Sequence, residues 1–205
     1  MPRSSCLWVI ASLLALASCK KHRQEPPQLP PAAGQAPASA PPAAGVKPIP
    51  DGFHTVTASL IVRGAAKALE FYKRAFGAEV FAQMSTPDGA KIVHADIRIG
   101  DSRMFLADEM PMPGSNYAAP ETTQGKHTVG LWLYVPDVDA SMKRAIEAGA
   151  TQVRPAADMF WGDRMGHLRD PFGHEWAVAT HKRDLSPEEI RKGAAEFMAK
   201  QALRK

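Results

Sequence analysis

An internal repeat constrains this chain more than any other feature. Leu60-Ile61-Val62 returns as Leu133-Tyr134-Val135, 73 positions later, and Gly77-Ala78 returns as Gly149-Ala150, 72 positions later. The elements between these marks repeat too. Residues 55–62, Thr-Val-Thr-Ala-Ser-Leu-Ile-Val, read as a strand rich in β-branched residues. Gly64 then opens a helix whose stripe is Ala65, Ala68, Leu69, Tyr72 and Phe76, and Gly77 stops it. Strands are predicted near 79–85, 90–99 and 102–108, with Gly100-Asp101 as a hairpin turn. The second pass reads a strand over 128–135 and a helical stripe of Val138, Met142, Ala145 and Ile146 ending at Gly149. Strands follow from Thr151, over 164–169 and over 174–181, with Asp170-Pro171-Phe172-Gly173 as a turn. Duplication of a βαβββ unit is the economical reading. The expected class is α+β: module one over 51–109, module two over 126–182, forming one domain over 51–182. A helix over 183–205 follows, opened by the capping box Ser186-Pro187-Glu188-Glu189 with proline at its first position. Its apolar stripe, Ile190, Ala194, Phe197 and Met198, suits packing against the domain or a second subunit; membrane-surface contact is the alternative.

The first 50 residues have a different character. Leu7 to Ala17 is an apolar run of 11 residues behind Arg3. A bilayer-spanning helix needs ~20 residues, so the run has the length of a secretory signal instead. It ends in Leu16-Ala17-Ser18-Cys19, which resembles the bacterial lipobox. The expectation is a signal peptide over 1–18 and lipidation of Cys19. Lys20 after the cysteine, by resemblance to Gram-negative lipoproteins, implies an anchor in the outer membrane with the domain facing the periplasm. Residues 20–50 hold nine of the 18 prolines and seven alanines without apolar periodicity, so 19–50 reads as a lipidated, disordered tether. Cys6, the other cysteine, lies inside the signal, which excludes thiol catalysis, disulfides and cysteine-based zinc sites from the domain.

Charge removes another class. The net charge of +4 belongs to the head: residues 1–50 carry five basic side chains against one acidic. The remaining 155 residues balance at 20 against 20, so the domain has no basic excess for electrostatic nucleic-acid binding. No Gly-x-Gly-x-x-Gly or Walker A loop and no Ser/His/Asp motif context is present.

Several runs carry a family resemblance over residues 50–200. They are His54-Thr-Val-Thr, Leu60-Ile-Val-Arg-Gly-Ala-Ala-Lys-Ala, Glu70-Phe-Tyr-Lys-Arg-Ala-Phe-Gly-Ala, His94-Ala-Asp-Ile-Arg-Ile-Gly-Asp, Leu133-Tyr-Val-Pro-Asp-Val-Asp, Trp161-Gly-Asp-Arg and Asp170-Pro-Phe-Gly-His. Together they resemble the glyoxalase / bleomycin-resistance / extradiol-dioxygenase (vicinal oxygen chelate) superfamily, and within it the PhnB-like branch. The resemblance implies paired βαβββ modules curled into a cup over a ligand, and a homodimer in which modules complete one another's cups.

The resemblance also implies a divalent metal held by His, Gln or Glu from four strands. The first, third and fourth of those positions fall on Thr57, Gly130 and Ala177, and the second near Ala107 or Asp108. Three of these cannot ligate in the usual way, so no metal cofactor is expected; a divalent metal is the alternative. His94 and Asp96, at i and i+2 on one strand face, either chelate an ion or form a satisfied polar pair.

Strand parity assigns Leu60, Val62, Ala95, Ile97, Leu131, Leu133 and Val135 to the helix-covered faces. The other faces then carry Thr57, Ser59, His94, Asp96, Arg98, Gly130, Trp132, Tyr134, Glu175 and Ala177. This polar and aromatic set suits a small-molecule cup; otherwise Trp132 is core between two packed cups. In Phe160-Trp161-Gly162-Asp163-Arg164, Trp161 can stack on a planar ligand and Arg164 can grip a carboxylate or phosphate, or Arg164 pairs with Asp163 or Asp170. The ligand-binding candidates are therefore Thr57, Ser59, His94, Asp96, Trp132, Tyr134, Trp161, Arg164 and Glu175. Binding or sequestration of a small, planar or anionic molecule is the leading expectation. A metal-dependent lyase, isomerase or dioxygenase is the enzymatic alternative, and a structural or chaperone-like partner is the third.

Overall fold

A computed structural model describes residues 46–202, so Cys19, the signal and most of the tether lie outside the described residues. In the first module, β1 (Ser59–Val62), α1 (Ala65–Phe76), β2 (Glu79–Ser85), β3 (Ile92–Ile99) and β4 (Ser102–Asp108) follow in that order. The second repeats it with β5 (Leu131–Tyr134), α2 (Val138–Ala148), β6 (Thr151–Asp158), β7 (Asp163–Arg169) and β8 (Glu175–His181). The helix α3 (Pro187–Ala202) ends the described chain. Each module makes one four-stranded mixed sheet, ordered β1-β4-β3-β2 and β5-β8-β7-β6. The duplicated α+β architecture is therefore as the repeat predicts.

Two strands are shorter than their composition suggests. Before Ser59 the chain turns, with the Thr57 hydroxyl donating to the His54 carbonyl at 3.2 Å, so 55–58 do not join β1. Before Leu131 there is no partner, because Leu131 already faces Trp176 near the start of β8.

Both helices end where the glycines were read. Gly77 and Gly149 adopt left-handed conformations (φ 69° and 119°), and their N–H groups return to the last turns. The helix starts are held differently. On α2 the Asp137 side chain accepts from Ala140 N at 3.0 Å. Gly64 offers α1 no side chain, so Asp108 at the end of β4 takes that place. Its Oδ1 accepts from Gly64 N and Ala65 N at 2.8 and 2.9 Å, and its Oδ2 from Ile92 N at 2.8 Å.

One core joins the modules. Leu60, Val62, Ala95, Ile97 and Leu106 lie beneath α1, and Leu168, Trp176 and Val178 beneath α2. Each buried Leu, Ile or Val among them contributes ~1.5–3 kcal/mol by leaving water. The helices pack on each other, and Phe71, Tyr72 and Phe76 of α1 meet Phe172 and Trp176 of the second module at ring separations of 4.8–6.4 Å. At this seam the Asp170 carboxylate is wholly buried. It accepts from the Tyr72 hydroxyl (2.7 Å), Trp176 Nε1 (3.0 Å), and the backbone N–H groups of Phe172 and His174 (both 2.9 Å). Burial first, then the carboxylate, pushes the Tyr72 hydroxyl far above its usual range.

The capping box of α3 forms as read: Glu189 Oε2 accepts from Ser186 N at 2.8 Å, and Ser186 Oγ accepts from Glu189 N at 3.3 Å. Its stripe covers the loop between β6 and β7 through Phe197 on Phe160 (5.6 Å) and Gly193 against the Phe160 side chain, while Met198 stays exposed.

Candidate functional site: the free face of the second sheet

The pleat sends alternate residues of β5, β7 and β8 away from α2. Cross-strand register assembles them in rows. Trp132 sits beside Ala177 and His167, and Tyr134 beside Ala179 and Met165. Beyond them, Asp163 at the start of β7 faces His181 at the end of β8. Met165, Ala177 and Ala179 form a small apolar floor, with Met159 and Trp161 leaning on it from the preceding loop. Trp132 and Tyr134 are exposed (48% and 60%), so the face is an open, aromatic-walled platform.

Asp163 organises one end of this platform. It is only 4% exposed. Its Oδ2 accepts from the Tyr134 hydroxyl at 3.0 Å and from Trp161 Nε1 at 2.9 Å. Its Oδ1 lies 2.7 Å from His181 Nδ1, and His181 Nε2 lies 3.0 Å from Asp184. Burial raises the Asp163 carboxyl, but the bonds from His181, Trp161 and Tyr134 outweigh it and hold the group below its usual range. The two carboxylates raise the His181 imidazole, and the bond to Asp163 raises the Tyr134 hydroxyl. The Trp161 loop is itself pinned. Gly162 O accepts from Lys182 N and Arg183 N at 3.0 and 3.1 Å, and a Cβ on Gly162 would clash with the Arg183 carbonyl oxygen. Only glycine permits that approach.

The free face of the first sheet is built otherwise. Ser59, Phe105 and Asp96 share a row, and His94 packs on Phe105 with rings 4.8 Å apart. Arg103 grips Asp96 with two nitrogens and stacks on Phe53 (4.7 Å) and Phe81 (3.9 Å). Phe53, from the segment ahead of β1, thus covers part of this face.

The predicted residues therefore divide. Trp132, Tyr134, Trp161 and Glu175 come together on the second sheet, with Glu175 at the rim in an ion pair with Arg169 at 2.7 Å. Ser59, His94 and Asp96 lie on the first sheet. Among the described residues, no hydrogen bond, ion pair or ring contact joins the two free faces. Three expectations need correction. Arg164 is not at the platform: parity puts it on the helix side, where Asp139 holds it at 2.7 and 2.9 Å and Asp158 at 3.3 Å, rather than Asp163 or Asp170. Those bonds push its guanidinium still higher. Asp96 is satisfied, as one of the two alternatives allowed, but by Arg103 rather than in a pair with His94. Thr57 lies in the turn before β1, outside any sheet.

Asp163 and His181 escaped the sequence reading. Asp163 stands beside two conspicuous residues and was assigned only as a partner of Arg164. The signal was parity: Asp163, Met165 and His167 alternate in β7.

The divalent metal that the resemblance implies, kept above as the alternative, finds no fitting donor set at the aligned positions. Gly130 and Ala177 bring no donor, Thr57 is in a turn, and Asp108 is committed to three backbone N–H groups. Among the described residues no group of three or more His, Cys, Asp or Glu side chains is placed to hold an ion.

Among the described residues, a cavity of about 910 Å³ lies beside the edge strands β1 and β5, lined by Ser59 from the rim of the first free face and by Ile61, Tyr117, His127, Thr128 and His174 among others. Burial lowers the His174 imidazole, whose Nδ1 has no hydrogen-bond partner.

Residues 52–178 match the Glyoxalase/Bleomycin resistance protein/Dioxygenase superfamily. The chain belongs to this superfamily. An uncharacterized protein of Mycobacterium tuberculosis is 40% identical over 131 residues, covering 64% of this chain and 76% of its own. Among solved structures, a gene product of Arabidopsis thaliana superposes with a TM-score of 0.50 at 26% identity, covering 62% of this chain and 98% of its own. TioX from Micromonospora sp. ML1 is also similar, with a TM-score of 0.49, 28% identity, and coverage of 62% and 97%. Superfamily membership accounts for the duplicated modules; it does not specify a ligand.

Proposed function

We propose that this superfamily domain, of the PhnB-like branch, binds or sequesters a small molecule on the free face of its second sheet, without the usual divalent metal. One observation carries the reading. A buried carboxylate, Asp163, orients the polar ends of Tyr134 and Trp161 while their rings wall an apolar floor open to solvent. Such preorganised aromatic walls with few polar groups are the usual make-up of small-molecule sites. The metal-dependent lyase, isomerase or dioxygenase alternative finds less support, because the donors it needs are missing or engaged.

A homodimer fits the same reading. Each chain carries two half-cups and four edge strands, β1, β2, β5 and β6, and a second copy can bring its first sheet, with Ser59 and His94, over the platform of the other. The lipobox-like segment supports anchoring through Cys19 to the outer membrane, with the domain in the periplasm. Nucleic acid is not among the proposed partners.

The test is mass spectrometry of small molecules co-purifying with the full chain and with Trp132→Ala. A molecule enriched with the native chain and lost from the variant is expected. Equal recovery from both would defeat the reading. Fatty-acid labelling that survives Cys19→Ser would defeat the anchor.

A further inference from the structure

Three side-chain donors gathered around Asp163 are already engaged. The Tyr134 hydroxyl and the Trp161 indole N–H both point into the Asp163 carboxylate. His181 spends one ring nitrogen on Asp163 and the other on Asp184. Arg164 faces the helix side, where Asp139 and Asp158 clamp it. What this end offers is acceptor lone pairs on Tyr134 Oη, the faces of three aromatic rings, and two carboxylates against one imidazole.

We infer that this end of the platform takes the N–H-bearing, positively charged edge of a planar molecule, such as an amidinium, a guanidinium or a protonated aromatic amine, and rejects carboxylates and phosphates. The inference rests on the small-molecule reading above and specifies its ligand. Ring faces attract a cation through their quadrupoles. An acceptor-only rim satisfies a donor edge and leaves a carboxylate facing lone pairs, with its own oxygens desolvated and unpaired. The two carboxylates outnumber the one imidazole even when His181 is protonated. The far end of the platform is mixed in charge: His167, four residues along β7 from Asp163 and ~13 Å away, lies opposite Arg154 of β6, and the Glu175 carboxylate stands at the same rim.

The test uses two probes with the same ring and opposite charge, naphthalene-2-carboxamidine and naphthalene-2-carboxylate, titrated into the ¹⁵N-labelled full chain held in detergent. The amidine is expected to bind about tenfold more tightly, which is about 1.4 kcal/mol, and to shift the Trp132 and Trp161 indole N–H signals. Asp163→Asn is expected to shrink the preference below about threefold, with Trp132 still responding to both probes. A carboxylate that binds as tightly as the amidine on the unaltered chain would overturn the inference while leaving the small-molecule reading standing. So would amidine-induced shifts centred on Arg154 and His167. If neither probe moves the Trp132, Tyr134 or Trp161 signals, the inference and the site both fail. The probe comparison is made on the unaltered chain, so a misfolded variant does not remove the test.

Discussion

Tyr72→Phe isolates the bond that stitches the two modules together. The substitution deletes one hydroxyl and keeps the ring, so the contacts of residue 72 with Phe76, Phe172 and Trp176 persist and no cavity opens. What is lost is the 2.7 Å bond from Tyr72 to Asp170, a carboxylate with no exposed surface. Trp176 Nε1 and two backbone N–H groups still serve Asp170, so the carboxylate is weakened rather than abandoned. A hydrogen bond to a charged group is worth about 1.5–3 kcal/mol, and full burial argues for the upper half. For a domain of roughly 150–250 residues each kcal/mol moves Tm by about 2–4 °C, so a fall of about 4–12 °C is expected. Urea denaturation should show a lower midpoint with an unchanged slope. A loss below about 0.5 kcal/mol would refute the claim that this bond couples the modules. A change in slope would show that the variant alters the compactness of a state instead.

Three further outcomes are expected. Asp108→Ala, which strands two N–H groups at the start of α1 and one at the start of β3, should cost about 2–4 kcal/mol by denaturant titration; a loss under 1 kcal/mol would reject its role as the cap of α1. Arg164→Ala should leave ligand or probe binding unchanged and stability within about 1 kcal/mol, since its partners Asp139 and Asp158 are exposed; a large loss of binding would put Arg164 back at the site. The His181–Asp163 pair should give stability two pH limits. The contribution of His181, whose pKa is raised, is complete below its ordinary value of about 6.5 and fades as pH rises through the folded value. That of Asp163, whose pKa is lowered, is complete above about 3.9 and fades as pH falls through the folded value. Thermal melts of the native chain against Asp163→Asn over roughly pH 3–9 should differ most between those limits, and parallel curves would contradict the pairing.

Much of the fold was legible because it depends on period and punctuation. Both helical stripes, both glycine stops, the Gly100-Asp101 turn and the face parity of β3, β5 and β8 are local properties, carried by residues within a few positions of one another. The strand starts at Ser59 and Leu131 were not legible, because a strand extends only as far as its partner does. Composition says nothing about where β4 and β8 begin.

The site divides along the same line. Sequence by itself determined that the domain is a duplicated βαβββ unit and that Trp132 and Tyr134 share a face away from the helix. Only the tertiary structure decided which polar groups are free. Arg164 pairs across to α2, Asp96 turns to Arg103, and Asp163 collects Tyr134, Trp161 and His181 from three separate segments. Parity states which side of a sheet a side chain leaves from. Whether its charge or proton is still available depends on partners that only folding brings within 3 Å, a distance about that of an ordinary hydrogen bond.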